Sequence, residues 1–312
     1  MTQAFDLVVI GSTNVDLFLQ VDHLPRPGET LLGRSSSLEF GGKGGNQAVM
    51  AARLGANVGL FSCVGGDHFG QFALRHYSEQ NISIQFMQQD TQRATGLACI
   101  CVDNQGANCI VVAPGANQAL SVDHIHDHAH MIAKARLVLA QLEVPMACIV
   151  EGFRIARQAG ALTMLNAAPM QPLSPELLTL TDICVLNEPE IEQLTGQPLV
   201  DRQQVQALAR VVRKLGPRMV LVTLGAHGAW IESDEMSEAV PAPCVEVVDT
   251  TGAGDVFVAT LAVGLIQGIQ PVVAAGWANH AAALAVTRRG TQSAFPSQAD
   301  IEAFMKVKWP TG

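Results

Sequence analysis

The residues best suited to chemistry lie within the stretch 247–255, which reads VVDTTGAGD and runs into an apolar segment. This pattern predicts a strand over 245–249, a glycine-rich turn, and a helix over 255–267 with Asp255 at its mouth. Free backbone N–H groups at a helix N-terminus attract anions, and glycines let a phosphate approach closely. A carboxylate beside such an anion site is what the transfer of a phosphoryl group to an alcohol needs. Asp255 is equally suited to plain helix capping, so the stretch alone leaves both roles open.

A second glycine-rich segment, residues 41–46, precedes a predicted helix over 46–54 that ends at Gly55. It lacks the Ser or Thr that follows the lysine of a P-loop, and its glycine spacing differs, so a P-loop NTPase is excluded. Four glycines before a helix still indicate that a ligand comes close to the backbone. Lys43 and Asn46 offer hydrogen bonds to hydroxyl groups; a flexible loop with an ordinary helix start is the alternative.

Polar residues or glycines also follow four of the predicted strands, at the sheet edge where open α/β proteins bind ligands. The donors and acceptors after strand 7–10 suit sugar hydroxyls, and the oxygens after strand 183–187 suit Mg²⁺ held mostly through water. The glycines after strand 219–224 would let an adenine ring or a phosphate lie on the backbone. Turns and helix caps are the structural alternatives. The residues concerned are Asn14, Asp16, Glu143, Asn187, Glu190, Thr223, Gly225 and Gly228.

The alternation of apolar strands and helices predicts the scaffold that positions these residues. Near-continuous apolar strands with helical connections are typical of a parallel sheet covered on both faces. We therefore predict one large α/β domain over residues 1–312. The predicted strands are 7–10, 58–64, 137–142, 162–166, 183–187, 219–224 and 245–249, and the predicted helices are 46–54, 69–79, 145–159, 188–195, 202–215, 255–267, 271–287 and 298–306.

Two parts of the N-terminal third break this alternation. Half-apolar runs at 17–19 and 30–32 are separated by a proline-rich turn, which is typical of short exposed strands. Two further segments flank a short glycine-containing loop and predict a β-hairpin, 97–102 with 108–113. These strands do not fit a parallel sheet, so we predict a small β-lid. Its strands are expected at about 14–40 and 96–113.

Composition limits the classes of partner and the compartment. The chain has 312 residues, 48% of them hydrophobic, and a net charge of −9 without a run of Lys or Arg, which argues against nucleic acid and anionic membranes as partners. No apolar run reaches the roughly 18 residues of a membrane span, and the start of the chain lacks a basic leader. The seven cysteines are scattered with no C-x-x-C pair, which is typical of free thiols and predicts a cytoplasmic protein.

A histidine-rich tract at 123–130 contains two pairs at helical i,i+4 spacing, His124 with His128 and His126 with His130. Zinc sites use such pairs, but these two pairs lie on different faces of a helix. The tract is also polar enough to be a solvated helix surface. Both a surface helix and a metal site remain open at this point.

Taken together and in order, these motifs resemble the ribokinase (PfkB-type) family of carbohydrate kinases over nearly the whole chain. The match rests on the segments 11–16, 41–48, 141–143, 187–190 and 249–255, which read GSTNVD, GGKGGNQA, QLE, NEPE and DTTGAGD. The resemblance implies a three-layer α/β/α domain with a mostly parallel central sheet and a β-lid that pairs two subunits into a homodimer. It implies ATP-dependent phosphorylation of D-ribose at O5. Another small sugar or nucleoside, such as 2-deoxyribose, fructose or adenosine, is the nearer alternative, and a non-catalytic sugar-binding regulator is the farther one.

The same resemblance implies a role for each matching residue. Asp255 would be the catalytic base, with the backbone of Gly252, Ala253 and Gly254 as the anion site. The sugar would be held by Asn14, Asp16, Gly42, Lys43, Asn46, Glu143 and Asp255. The nucleotide would contact Asn187, Thr223, Gly225, Gly228, Gly254 and Asn279, and Glu190 would place Mg²⁺ through water. K⁺ would lie beside the anion loop, against Asp249, Thr251, Ala285, Arg288 and Gly290.

Two positions depart from the family pattern. Val256 follows the candidate base, where the family usually has a smaller or polar residue. Ala294 stands where a hydroxyl-bearing residue can occur. The second departure concerns the expected K⁺ site rather than the chemistry.

Overall fold

The protein is built on two β-sheets, and helices cover the larger one, in a computed structural model that describes residues 5–310. Within those residues the strands are β1 (Leu7–Ile10), β2 (Asn14–Gln20), β3 (Ser35–Gly41), β4 (Val58–Gly65), β5 (Met87–Asp90), β6 (Gly96–Val102), β7 (Asn108–Ala113), β8 (Leu137–Ala140), β9 (Leu162–Asn166), β10 (Ile183–Asn187), β11 (Met219–Thr223), β12 (Ala229–Glu232) and β13 (Ser237–Val240). The α-helices are α1 (Lys43–Arg53), α2 (His68–Glu79), α3 (Val122–Asp127), α4 (Ala129–Ile132), α5 (Met146–Gln158), α6 (Pro175–Leu180), α7 (Glu188–Thr195), α8 (Val205–Arg213), α9 (Ala253–Ile266), α10 (Pro271–Ala285) and α11 (Gln298–Met305).

The larger sheet has nine strands in the order β13-β12-β11-β10-β9-β8-β1-β4-β5. From β11 to β5 each strand pairs in parallel with the next, while β12 and β13 add an antiparallel edge. Most connections between the parallel strands contain a helix. This confirms the predicted α/β fold with a mostly parallel sheet.

Helices cover both faces of this sheet, so the protein has three layers. Leu7 and Val9 of β1 belong to one hydrophobic core with residues of α1, α9 and α10, whereas Val8 and Ile10 belong to another with residues of α5 and α8. Successive residues of a strand point to opposite faces, and in β1 all of them are apolar because both faces are covered. In the part of the chain that the structure describes, no helix combines the length and the apolar composition that crossing a membrane requires.

The smaller sheet, which we call the lid, has four strands in the order β3-β2-β6-β7. Strand β2 pairs antiparallel with β3 and parallel with β6, and β6 pairs antiparallel with β7. In this register Asp16 lies opposite Glu39, and Asn14 lies opposite Gly41, at the end of the lid nearest the first turn of α1. The lid therefore carries polar side chains to the edge of the main domain.

Two predicted strands are wrong. Residues 30–32 lie in a loop, and the strand is β3, which begins with three serines and owes its regularity to pairing with β2 rather than to apolar residues. Residues 245–249 lie in the loop between β13 and α9, and the sheet edge is formed instead by the hairpin of β12 and β13. The short elements β5, α4 and α6 were also missed, because four to six residues are too few to show a clear period.

Candidate active site

The first turn of α9 carries Asp255 in a buried position, with 6% of the residue exposed. Gly252 caps the helix in a left-handed conformation, with φ at 75°, and a Cβ there would lie 2.8 Å from the Phe295 ring, so the turn requires glycine. Oδ2 of Asp255 accepts a 2.8 Å hydrogen bond from Asn46 Nδ2, and Oδ1 accepts a 2.9 Å hydrogen bond from Gln47 Nε2. Amide donors from α1 thus orient both oxygens of the carboxylate.

Burial and nearby charges set the ionisation of this carboxyl group. Burial raises the pKa of Asp255, and it outweighs the Lys43 ammonium and the two amide donors, which lower that pKa. Burial alone would lower the pKa of Lys43, but Asp255, Glu143 and Glu190 together raise it above its ordinary value. Lys43 is therefore a fixed cation among three carboxyl groups. Its charge supports the ionised form of Asp255 against the cost of burial.

One wall of the site is formed by lid strand β2 and the loop that follows β8. Asn14 and Asp16 are both buried on β2. Asn14 Oδ1 accepts a 2.8 Å hydrogen bond from Asn117 Nδ2, which fixes the orientation of the Asn14 amide. Glu143 Oε2 accepts a 2.9 Å hydrogen bond from the backbone N–H of Lys43. The structure therefore brings the expected sugar-binding residues from three separate segments to one place.

Asp16 lies in the same pocket, close to several other carboxyl groups. Burial, followed by the charges of Glu143, Glu39 and Asp255, raises the pKa of Asp16 to about 7. Carboxylates accept hydrogen bonds and cannot donate them, so the pocket has an excess of acceptors. It suits a ligand that brings several hydroxyl donors.

The glycines at the start of α1 also have a packing role that the sequence did not indicate. Gly42 has φ at 82°, and a Cβ on it would lie 2.8 Å from the backbone nitrogen of Asn14. A Cβ on Gly44 would lie 2.5 Å from the carbonyl carbon of Gly11. The start of α1 thus packs directly on the backbone that follows β1. This close approach holds the residues of both segments around the same pocket.

A cleft opens beside Asp255 and has two parts, which share Thr223, Thr250 and Gly254. The inner part is polar and suits phosphate groups, whereas the outer part is lined mostly by alanine, valine and other apolar side chains and suits a flat ring. All of the expected nucleotide-binding residues line this cleft. Asn187 lies in the inner part with Lys43, Glu190, Gly252 and Asp255, and the outer part includes Gly225, Gly228, Ala253 and Asn279.

Two of these residues also have structural roles. Asn187 Oδ1 accepts a 2.9 Å hydrogen bond from the backbone of Glu190, whose Oε2 accepts a 2.8 Å hydrogen bond from the backbone of Asn187, so the pair caps α7. Asn279 Nδ2 donates to the carbonyl oxygens of Val240 and Pro241 at 2.9 and 3.2 Å. Asn187 and Asn279 therefore line the cleft and also hold the local backbone in place.

Some of the residues expected around K⁺ lie in contact with one another. Asp249 Oδ1 accepts hydrogen bonds from the backbone and hydroxyl of Thr251 at 2.9 and 2.7 Å, and Oδ2 accepts one from the backbone of Gly290 at 3.0 Å. Ala285 is the last residue of α10, and the Arg288 guanidinium lies 3.7 Å from Asp300. Only backbone oxygens of Ala285 and Arg288 are therefore suited to a cation. Within residues 5–310, no three or more His, Cys, Asp or Glu side chains form a metal-binding group.

The histidine tract forms two helices, α3 and α4, which break at His128. His124 Nε2 donates to the Phe86 carbonyl at 2.8 Å, and His128 Nδ1 donates to the His124 carbonyl at 3.0 Å. The His128 ring also meets Phe86 edge-on, with ring centroids 5.2 Å apart. His124 and His128 are thus half-buried and held by packing and backbone contacts, whereas His126 and His130 are exposed on the helix surface.

Several functional neighbours were missed from the sequence. Gln47 contacts Asp255 directly, and its Nε2 also donates to Asn166 Oδ1 at 3.0 Å. Gln292 contacts Asn46, and Asn117 contacts Asn14. The position of Gln47 beside Asn46 in the glycine-rich motif was the one available signal. Nothing in the sequence around Gln292 and Asn117 indicated a link to the site.

The sequence profile described as pfkB family carbohydrate kinase matches residues 4–298. The chain belongs to this family. The pfkB relatives include ribokinase from Haemophilus influenzae, which is 37% identical over 300 residues that cover 96% of this chain and 98% of that protein. Deoxyribokinase from Salmonella typhi is 34% identical over 304 residues, which cover 97% of this chain and 99% of that protein. Among solved pfkB-type structures, Arabidopsis thaliana ribokinase complexed with ribose and ATP matches with a TM-score of 0.90 at 29% identity, covering 98% of this chain and 100% of that chain.

Proposed function

We propose that this pfkB-family sugar kinase uses ATP to phosphorylate D-ribose at O5, giving D-ribose 5-phosphate and ADP. The observation that supports this most directly is the position of the buried Asp255 carboxylate, which lines the polar cleft and couples electrostatically to Asp16 and Glu143 of the acceptor-rich pocket. A sugar hydroxyl and the terminal phosphate of ATP can meet at this carboxylate. The ribokinases from Haemophilus influenzae and Arabidopsis thaliana support the same reaction for this chain.

In this proposal Asp255 is the base for the O5 hydroxyl. A loose phosphoryl-transfer transition state needs an oriented nucleophile more than an early deprotonated one, so the carboxylate accepts the proton late. The raised pKa of Asp255 suits this role, because it makes the carboxylate a better proton acceptor. The backbone N–H groups of Gly252, Ala253 and Gly254, at the start of α9, would stabilise negative charge on the phosphoryl oxygens.

The sugar and the nucleotide would approach Asp255 from opposite sides. Sugar hydroxyls would donate to Asp16, Asn14 and Glu143, while donors from Lys43 and Asn46 and the backbone of Gly42 would complete the pocket. Phosphates would lie in the inner part of the cleft, and the base would lie in the apolar outer part. The nucleotide-contacting residues would be Asn187, Thr223, Gly225, Gly228, Gly254 and Asn279.

Mg²⁺ and K⁺ are part of the proposal. Glu190 lines the inner part of the cleft, and a carboxylate there can hold Mg²⁺ through water, which would neutralise phosphate charge. The turn around Asp249 presents oxygen donors, which fit a hard cation. The K⁺ ligands would be oxygens of Asp249, Thr251, Ala285, Arg288 and Gly290. K⁺ would supply a positive potential next to the anion site.

We further propose a cytoplasmic homodimer that pairs through the lid. Val111 on β7 and Leu38 on β3 are 65% and 47% exposed, and the strand register places both on one face of the lid, whereas Ile110 and Val112, 53% and 51% exposed, lie on the opposite face. An apolar sheet surface of this kind is typical of a protein–protein contact. The cysteines support the compartment, because all seven are free thiols.

A second candidate substrate is 2-deoxyribose. The similarity to deoxyribokinase from Salmonella typhi favours it, since that protein is nearly as similar to this chain as the ribokinases are. The two sugars differ by one hydroxyl, so the choice depends on a single donor in the acceptor-rich pocket. The relatives described above are ribokinases and a deoxyribokinase, so fructose and adenosine are less favoured as substrates.

ADP release should be measured with D-ribose, 2-deoxyribose, fructose and adenosine, each with and without K⁺. We expect the highest kcat/KM with D-ribose. Asp255→Asn should keep ribose binding in calorimetry but lower kcat by about 10²- to 10⁴-fold, the usual contribution of a positioned base. A higher kcat/KM with 2-deoxyribose would favour the second candidate. Near-normal turnover by Asp255→Asn would remove its role as the base, and ribose binding without any ADP release would indicate a regulator.

A further inference from the structure

A chain of hydrogen bonds leads from α2 to Asp255. His76 Nε2 lies 2.7 Å from Gln292 Oε1, Gln292 Nε2 donates to Asn46 Oδ1 at 3.0 Å, and Asn46 Nδ2 donates to Asp255 Oδ2 at 2.8 Å. Asn46 and Gln292 are only 5% and 4% exposed, so bulk water does not compete for their amides. These hydrogen bonds therefore connect the half-buried His76 imidazole to the candidate base through the buried amides of Gln292 and Asn46.

The ionised carboxylate determines the direction of every donor in this chain. A carboxylate only accepts, so Asn46 must turn Nδ2 toward Asp255 and Oδ1 toward Gln292. Gln292 must then turn Nε2 toward Asn46 and Oε1 toward His76. His76 must donate from Nε2, which it does both as the neutral Nε2–H tautomer and as the charged ring. Loss of either outer donor removes one of the contacts that hold the Asn46 amide in this orientation, so its hydrogen bond to Asp255 becomes less well aligned.

Both ends of the chain are held in place by other contacts. The Arg53 guanidinium donates to the carbonyl oxygens of Gln292 and Phe295, each at 2.8 Å, and so fixes the backbone that carries Gln292. The His76 ring stacks on Phe40, with centroids 3.8 Å apart and planes 10° apart. Neither outer residue can easily turn away from its partner.

We propose that Gln292 and His76 are positioning residues for Asp255. Gln292 orients Asp255 through Asn46, and His76 acts one step further away, through Gln292. This inference rests on the proposed role of Asp255 as the base. Their effect is to keep an amide donor on Oδ2, which holds the carboxylate in one orientation and favours its charged form. The second N–H of Asn46 stays available to a sugar hydroxyl.

Charged groups on the neighbouring helices and strands influence this series of hydrogen bonds, so the test variants must leave those groups unchanged. Burial lowers the pKa of His76, while the hydrogen bond to Gln292 raises it. Gln292→Met removes no titratable group, and His76→Phe and His76→Gln remove the same imidazole, so the difference between the two His76 variants reports the donor alone. The groups that face Asp255 are Lys43 on α1, Asp16 on β2, Glu143 after β8 and Glu190 on α7, and those that face His76 are Arg53 on α1 and Glu79 on α2. The Tyr77 phenol on α2 interacts with Gln292, and its ring lies 5.4 Å from the His76 ring.

The first test is Gln292→Met, which keeps the length of the side chain and removes its donor. We expect kcat at saturating ribose and ATP to fall about 10-fold, the size of effect that follows from the loss of one buried hydrogen bond. The midpoint of the acid limb of kcat should rise by about 0.5 to 1 pH unit, because loss of an oriented donor raises the pKa of Asp255. Gln88→Met, on β5, is the matched control, since Gln88 donates to the Ala119 carbonyl away from Asp255, and it should leave the limb unchanged.

The second test compares two variants at His76, which is half-buried and tolerates change better than Gln292. His76→Phe keeps the stacking on Phe40 but cannot donate, whereas His76→Gln keeps an N–H at the end of a side chain of similar reach. We expect the acid limb to rise in His76→Phe and to return close to its normal position in His76→Gln. Thermal unfolding of each variant separates these effects from loss of folding.

The two hypotheses fail in different ways. Asp255→Asn with near-normal kcat would overturn the proposed base and with it this inference. An inactive Asp255→Asn, combined with an unshifted acid limb in both Gln292→Met and His76→Phe, would overturn the positioning role alone. Equal shifts in His76→Phe and His76→Gln would also contradict it, because only the former lacks the donor.

Discussion

Glu39 on lid strand β3 and Thr291 in the loop after α10 are joined by a hydrogen bond of 2.9 Å, from the Thr291 backbone N–H to the Glu39 carboxylate. The Ser293 hydroxyl donates to the same oxygen at 3.2 Å. One residue earlier, the Gly290 N–H donates to Asp249, which also binds Thr251 just before the anion turn. The lid is thus connected to the turn at the start of α9 through one loop.

Removal of this connection should weaken sugar binding. At about pH 8, where Asp16 is already mostly ionised, we expect Glu39→Ala to raise the KM for ribose about 3- to 10-fold, because the two hydrogen bonds to the Glu39 carboxylate are lost. The kcat should change less than the KM, since Asp255 is not touched. Initial-rate kinetics over a range of ribose concentrations measure both. Ser37→Ala, on the exposed part of the same strand, is the control, and an equal KM in both variants would contradict a role of the Glu39 connection in sugar binding.

Ribose binding should depend on pH through Asp16. Its pKa is raised to about 7 by burial and by three neighbouring carboxyl groups, so it loses its charge as the pH falls through that value. A protonated acid has fewer acceptor positions for sugar hydroxyls, so affinity should fall by on the order of 10-fold per pH unit below the pKa. Calorimetric titration between about pH 5 and 8 tests this. In Asp16→Asn the affinity should be low and nearly independent of pH over this range.

The same residue should cost stability in the absence of ligand. A pKa that rises from 3.8 to about 7 on folding means that the charged form destabilises the folded protein by about 4 kcal/mol. Because the folded pKa lies above the unfolded one, this cost is full above about pH 7 and disappears as the pH falls toward 4. Asp16→Asn should therefore have a higher Tm than the natural protein at pH 8, and the difference should shrink in acid. A lower Tm at pH 8 would show that Asp16 stabilises the fold.

A charge on the exposed face of the lid should separate a dimer. Val111 on β7 is 65% exposed, and burying its side chain against a second lid would make a glutamate there unfavourable. We expect Val111→Glu to sediment as a monomer at concentrations where the natural protein is a dimer. Val200→Glu is the matched control, since Val200 is 81% exposed but lies outside the lid, between α7 and α8. Dimers in both variants would exclude the lid as the contact.

The parts of the site that follow parallel strands could be predicted from the sequence. Asn187 is the last residue of the otherwise apolar strand β10, and such strands end at a common edge, so its place in the cleft follows from position alone. Asp255 could be placed for a similar reason, since glycines mark the start of α9. The β3 strand could not, because its serines carry no hydrophobic pattern and only β2 gives it order.

Contacts between distant polar residues could not be predicted either. His76 and Gln292 are 216 positions apart, and each is compatible with an ordinary surface role when it is read alone. Their burial and orientation follow from the way that α1, α2 and the loop after α10 pack together. The raised pKa of Asp16 could not be predicted for the same reason, because it depends on Glu143 and Asp255, which lie on other segments.

The close packing of α9 on α10 has a mechanical consequence. A Cβ on Gly264 would lie only 2.9 Å from the Cβ of Ala274, so small residues let the two helices touch almost backbone to backbone. A helix packed this closely on its neighbour has little room to tilt or slide in order to accommodate a substrate of a different size. The Asp255 carboxyl group, in the first turn of α9, is therefore carried by a helix whose position is fixed by its neighbour.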